Sequence, residues 1–238
     1  SFSEIAQNMI KAMLMSPNFL YRHELGTDIG GSYLLDDFET ATLLSYTFLG
    51  STPDTGLLLA AKSGLLRTQD QLRAQVERML KKPQAKENLI HFAKQWLEVA
   101  EPESIVKDAA YFPDYTPSIS VLMDTEFEMF VMDVMLGDDG NVSNLFDADY
   151  TYSNDVLANY YGLSASNNSF EKVFSTSERG GVLKMGAVMA SHALSNSTSP
   201  ILRGKFVRER IMCQTIPQPP EDTDLTTPLL DPTLPTRE

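Results

Sequence analysis

The 238 residues contain one cysteine, Cys213, and three histidines, His23, His91 and His192. A single cysteine excludes an internal disulfide. With no CxxC and no HExxH pattern, spacing alone assembles neither a structural zinc site nor a haem attachment. A buried thiol is the default expectation for Cys213, and pairing with a group outside these residues is the alternative. Each histidine reads as surface or as hydrogen-bonded core. No apolar run approaches the roughly 18–20 residues of a membrane span, and no secretory leader opens the sequence. Also missing are a GxSxG nucleophile elbow, a Gly-rich phosphate loop and a fixed-period repeat.

Positive charge is absent from one long stretch. Residues 108–171 hold 12 Asp and Glu and no Lys or Arg, whereas 1–107 carries −2, 172–220 carries +5 and 221–238 carries −4, for a net charge of −13. That balance argues against nucleic acid as the partner, since phosphate contacts need clustered cations. The remaining composition, 42% hydrophobic, 21% charged and 9% aromatic, is that of a globular protein and excludes collagen-like or disordered chains.

Apolar spacing predicts helices almost throughout. Phe2, Ile5, Met9, Met13, Phe19 and Leu20 recur at helical intervals, with Pro17 marking a break. Asp36 or Asp37, Asp54, Thr68 and Pro83 open further helices in the first 100 residues, and the longest candidate is 117–136, with Pro117 in its first turn. A short helix over Asn154–Tyr161, a short strand near Phe170–Phe174, and helices opened by Gly180-Gly181 and by Ser199-Pro200 complete the reading. The expected fold is an all-α bundle of eight to ten helices. Its divisions are an N-terminal bundle (1–107), an acidic-then-basic half packed on it (108–216) and an extended Pro-rich linker (217–238).

Candidate chemistry is sparse. Asp138, Asp139, Asp147 and Asp149 offer the oxygen ligands that Ca²⁺ takes, but the spacing lacks the twelve-residue loop and its closing Glu, so a solvated acidic loop is the stronger expectation. Arg203, Lys205, Arg208 and Arg210 form a basic run that could bind an anion or a docking partner. Pairing of that run with the acidic stretch 108–171 is the preferred reading, each surface pair adding about 0–1 kcal/mol. Tyr111, Phe112, Tyr115, Tyr150, Tyr152, Tyr160 and Tyr161 would suit a glycan- or protein-binding module, and acids within 124–149 a hydrolase in which no pair stands out.

Three phrases occur together: Met15-Ser16-Pro17-Asn18-Phe19-Leu20-Tyr21-Arg22, Ala93-Lys94-Gln95-Trp96-Leu97, and Thr198-Ser199-Pro200-Ile201-Leu202-Arg203-Gly204-Lys205 with Ile216-Pro217-Gln218-Pro219-Pro220. With Leu43 to Leu49, Ser51 to Asp54, and Tyr152, Asn154, Leu157, Ala158, Tyr160, Tyr161 and Gly162, they resemble an uncharacterised helical domain pair. That pair is common in large secreted proteins of planctomycetes and other Gram-negative bacteria. Asn159 stands where the pair usually has His. The likeness covers residues 3–220, and in that family a CxxCH c-type haem motif follows the Pro-rich segment. The resemblance therefore implies a fragment whose haem lies downstream of Glu238, with no cofactor bound by these residues. It also implies a downstream cytochrome module and a redox partner protein, a periplasmic or extracellular location, and a context of oxidative polysaccharide breakdown. Eleven methionines are enough to lend an axial ligand to such a haem, although methionine at helical spacing is usually core filler. It transfers no catalytic residue.

Overall fold

Helix starts follow from side chains that satisfy the first free amides. In the computed structural model, which describes residues 1–137, 140–164, 167–174 and 180–217, Ser1 and Glu4 form a reciprocal capping box on α1 (Phe2–Leu14). Pro17 restarts the chain as the single turn α2 (Pro17–Leu20). A two-residue antiparallel pair, β1 (Thr27–Asp28) and β2 (Tyr33–Leu34), precedes α3 (Asp37–Leu49). Asp36 is the cap of α3, accepting from the Phe38 and Glu39 amides, and Gly50 ends the helix at φ 64°, where a side chain would be strained. Asp54 caps α4 (Thr55–Lys62), Thr68 caps α5 (Gln69–Leu80), and Pro83 opens α6 (Pro83–Trp96).

The chain divides into two compact units, with the boundary between Asn88 and Leu89, inside α6. In the first unit α3, α4 and α5 bury Ala41, Leu49, Leu57, Ala61 and Met79. Asp54 accepts from Arg78 at 2.7 Å and pairs with Lys82, tying the start of α4 to the end of α5. Helix α1 has no buried residue; Phe2, Ile5, Met9 and Met13, which recur at helical intervals, are all exposed.

The second unit is built on α7 (Pro117–Leu136), capped by Thr116 with Pro117 in the first turn, as spacing predicts. Residues 119, 123, 127, 130, 131 and 134 form one buried stripe along it. Around it lie α8 (Asn144–Asp147), β3 (Tyr150–Ser153), α9 (Asp155–Tyr161), β4 (Glu171–Phe174), α10 (Gly186–Ser191) and α11 (Pro200–Phe206). Strand β3 pairs antiparallel with β4, Tyr150 opposite Phe174 and Ser153 opposite Glu171. Spacing predicted β4 but not β3, because Tyr150, Thr151 and Tyr152 lie immediately before a capped helix. Helix α11 continues as one wide π turn, Val207–Ile211. The fold is all-α apart from these two short antiparallel pairs, with eleven α-helices among the described residues rather than eight to ten. The Pro-rich extension, from residue 218 on, lies outside them.

Candidate functional site

Glu126 sits on the inward face of α7, one position before Phe127, and is 1% exposed. A buried carboxylate is costly unless it is hydrogen-bonded. Thr151 of β3 donates to Glu126 Oε1 at 2.5 Å, and Tyr161, the last residue of α9, donates to Oε2 at 2.6 Å. Three elements thus converge on one side chain. Gly186 makes the convergence sterically feasible: a Cβ there would stand 2.1 Å from the Tyr161 hydroxyl and 2.8 Å from the Met123 sulfur. Spacing carries a signal for Glu126: of the acids on α7 it lies nearest in phase to the apolar stripe at 119, 123, 127 and 130.

Tyr161 also forms part of the wall of a cavity of about 560 Å³. Phe112, Tyr115 and Tyr160 contribute further rings, and Met123 and Met189 contribute thioethers. The charged residues among the described lining are Lys107, Lys184 and Arg203; none is acidic. The Lys107 ammonium donates to the carbonyls of Ala190, Leu194 and Ala193 at 2.9, 3.0 and 3.3 Å, closing the C-terminal end of α10, and burial lowers its pKa below the usual lysine range. Tyr115 donates to Ser120 Oγ at 3.0 Å, and burial raises its phenol pKa. Arg203 places Nη1 3.5 Å from the Met189 sulfur and, among the described residues, has no carboxylate partner. Lys184, Met189 and Arg203 also border a more open hollow of about 710 Å³, where His192 stacks on Phe206 with centroids 4.0 Å apart.

The basic run divides. Arg203 reaches the cavity, whereas Lys205 stands 4.0 Å from Glu209 on the surface. Arg208 donates to Gln214 at 3.3 Å, and Arg210 donates from Nε to Glu98 at 2.6 Å. The expectation that this run pairs with 108–171 is therefore corrected. Arg203 stands on the seven-residue α11, which turns Phe206 into the core, and Arg210 on the π turn that follows, so the two meet different neighbours. Lys172 does meet that stretch: it donates to Asp133 at 2.8 Å, and Tyr150 donates to the same carboxylate at 2.8 Å. Burial works to raise the Asp133 pKa, but these two bonds outweigh it and hold the carboxyl below its usual range. Tyr150, by burial first and Asp133 second, is pushed up to about 12.

Asp138 and Asp139 lie outside the described residues, and Asp147 and Asp149 are exposed. Among the described residues no group of three or more His, Cys, Asp or Glu is placed to hold a metal ion. Cys213 is exposed, not buried, and stands just past the π turn with a left-handed φ of 52°. His192 is buried and hydrogen-bonded to the Leu97 carbonyl at 3.0 Å, and the exposed His91 meets Gln95 at 2.9 Å. Of the seven candidate aromatics, Phe112, Tyr115, Tyr160 and Tyr161 share the cavity; Tyr150 and Tyr152 sit at the β3–β4 pair and Tyr111 is exposed.

Fold and site together define an all-helical protein with an apolar, cation-lined cavity. The chain belongs to the PSD4 family, described as a protein of unknown function (DUF1592), whose model matches residues 35–163. Residues 179–238 match a second family model, PSCyt3, also described as a protein of unknown function (DUF1588). No curated protein and no solved structure matches the chain significantly. Within the second unit the two matched segments are not separate folded bodies. Val182, Met185, Val188 and Phe206 of the second are buried in the same core as Phe127, Phe130 and Leu157 of the first. Among the described residues no helix is long and apolar enough to cross a membrane.

Proposed function

We propose that the chain is the non-haem helical scaffold and docking portion of a secreted, c-type cytochrome-like electron-transfer protein, in a setting of oxidative polysaccharide breakdown. The observation that carries this reading is the tandem of PSD4 and PSCyt3 segments, the second named for a cytochrome, which meet in the core of the second unit. These 238 residues do not themselves fit a covalently held haem. Cys213 is their only cysteine and precedes Gln214 and Thr215, not the second Cys and the His that attachment takes. The haem of this reading belongs to residues downstream of Glu238. The acidic stretch 108–171 would steer a basic redox partner most effectively at low ionic strength. The test is the natural full-length polypeptide: a CxxCH downstream of Glu238 and a c-type Soret band are expected, and absence of both overturns the reading.

A second reading, a glycan- or protein-binding module without catalysis, is favoured by the four aromatic residues in the cavity wall. Retention on insoluble polysaccharide that falls on Tyr160→Ala would support it; no retention on any polysaccharide, with no small ligand taken up, would remove it.

A further inference from the structure

We infer that the cavity of the second unit binds a small organic carboxylate with a ring-shaped or apolar body, and that Arg203 is the group that holds the carboxylate. The inference rests on the binding-module reading and names its ligand class. In a chain of net charge −13, Lys107, Lys184 and Arg203 border one hollow that no described acid lines. Random placement in so acidic a protein would be expected to mix the signs.

The three cations are not equivalent. All three protons of Lys107 are directed at the carbonyls of Ala190, Ala193 and Leu194, so it contributes charge but no donor. Lys184 borders both this cavity and the small void beside Glu126, and is engaged with neighbours of its own. Arg203 is half-buried, carries five N–H donors, and among the described residues has only the Met189 sulfur within reach. Thioether sulfur is a weak acceptor, so a ligand oxygen would displace that contact at little cost. The planar guanidinium fork matches a carboxylate with two parallel hydrogen bonds, a geometry that lysine lacks.

The remainder of the ligand is read from the wall. Phe112, Tyr115 and Tyr160 with Met123 and Met189 present ring faces and polarisable sulfur, which favour an apolar or cyclic body over a bare inorganic anion. A volume of about 560 Å³ is in the range of small-molecule sites. Glu126 lies behind the Tyr161 hydroxyl, which donates to it at 2.6 Å, and does not line the cavity itself.

The test is calorimetric titration of the 238-residue chain with benzoate, 4-hydroxybenzoate, cyclohexanecarboxylate and glucuronate, alongside benzyl alcohol and inorganic phosphate. At least one carboxylate should bind, at least about tenfold tighter than benzyl alcohol and than phosphate. Arg203→Gln should weaken it by about tenfold or more, Arg203→Lys should restore it only in part, and Lys205→Gln should leave it unchanged. Circular dichroism identical to the parent shows that the variants fold; should Arg203→Gln not fold, Tyr160→Ala must weaken the same carboxylate. Benzyl alcohol binding as tightly as benzoate overturns the inference while leaving a ligand-binding cavity. Phosphate binding as tightly as every carboxylate overturns the ligand class, and no binding by any probe overturns both the inference and the reading beneath it.

Discussion

At the scale of single residues, two carboxylates are held in opposite ways. Glu126 has lost its water and keeps hydroxyl donors, Thr151 and Tyr161, in return. Tyr161→Phe should therefore cost about 1–3 kcal/mol of the second unit's stability, because an unsatisfied buried acceptor carries the full desolvation penalty. Urea unfolding followed at Trp96 checks this, and Glu126→Gln, which retains an acceptor for one hydroxyl, should cost less than the Tyr161 change. Asp54 is only partly covered, and the Arg78 guanidinium, ahead of Lys82 and the Leu57 amide, holds its carboxyl far below the usual range. A folded-state pKa below the unfolded value of about 3.9 stabilises the fold above that pH, and the contribution fades as the solution is acidified below about 4. Hydrogen exchange of the α4 amides, corrected for intrinsic rates, should thus lose protection between pH 5 and 3 by about one order more in the parent than in Asp54→Asn. Equal losses in the two proteins would show that the pairing carries no linkage.

At the scale of elements, four of the helices readable from spacing have a side-chain cap that fixes where they start. Asp54, Thr68, Thr116 and Ser199 each accept the amide three residues on, and the helices start where those side chains stand. Strand β3 was not readable, because four residues of Tyr, Thr and Ser have too little length for a period-two signal, and its partner lies 18 to 24 positions along the chain. Neither could spacing tell that α1 buries none of its residues, since an amphipathic pattern says which face is apolar and not what covers it. Nor does spacing reveal cavities: Lys107 and Arg203 are 96 positions apart and border one cavity, with Met189 and Ala190 of α10 in its wall. That role for Lys107 is testable. Lys107→Met deprives three carbonyls at the end of α10 of their donor and should cost about 1–3 kcal/mol, read as a lowered urea midpoint. Gly186→Val should cost a similar amount, about 1–3 kcal/mol, by forcing Tyr161 off Glu126, and should alter the near-ultraviolet tyrosine dichroism.

At the scale of the whole molecule, the charge asymmetry proved partly local. Lys172 and Asp133 join the strand pair to α7 as an opposite-charge contact between the basic and acidic stretches. Arg210 instead reaches Glu98, a residue at φ 50° just past α6, while the Trp96 indole donates to the Arg210 carbonyl at 3.0 Å. These contacts, with Phe206 in the core, make the part of the PSD4 segment that follows Asn88 and the described part of the PSCyt3 segment one folding body. A scaffold whose second segment were merely appended would leave no such dependence. Because Trp96 is the only tryptophan and touches both segments, its fluorescence reports on their union. The most direct measurement is urea unfolding followed at Trp96 in the parent and in Phe206→Ala. Loss of a buried Phe in a shared core predicts that the Trp96 transition moves down by about 3–5 kcal/mol, in a single step coincident with the loss of near-ultraviolet tyrosine signal. A Trp96 transition that stays where it is in the parent, while the dichroism reports partial unfolding, would contradict the account.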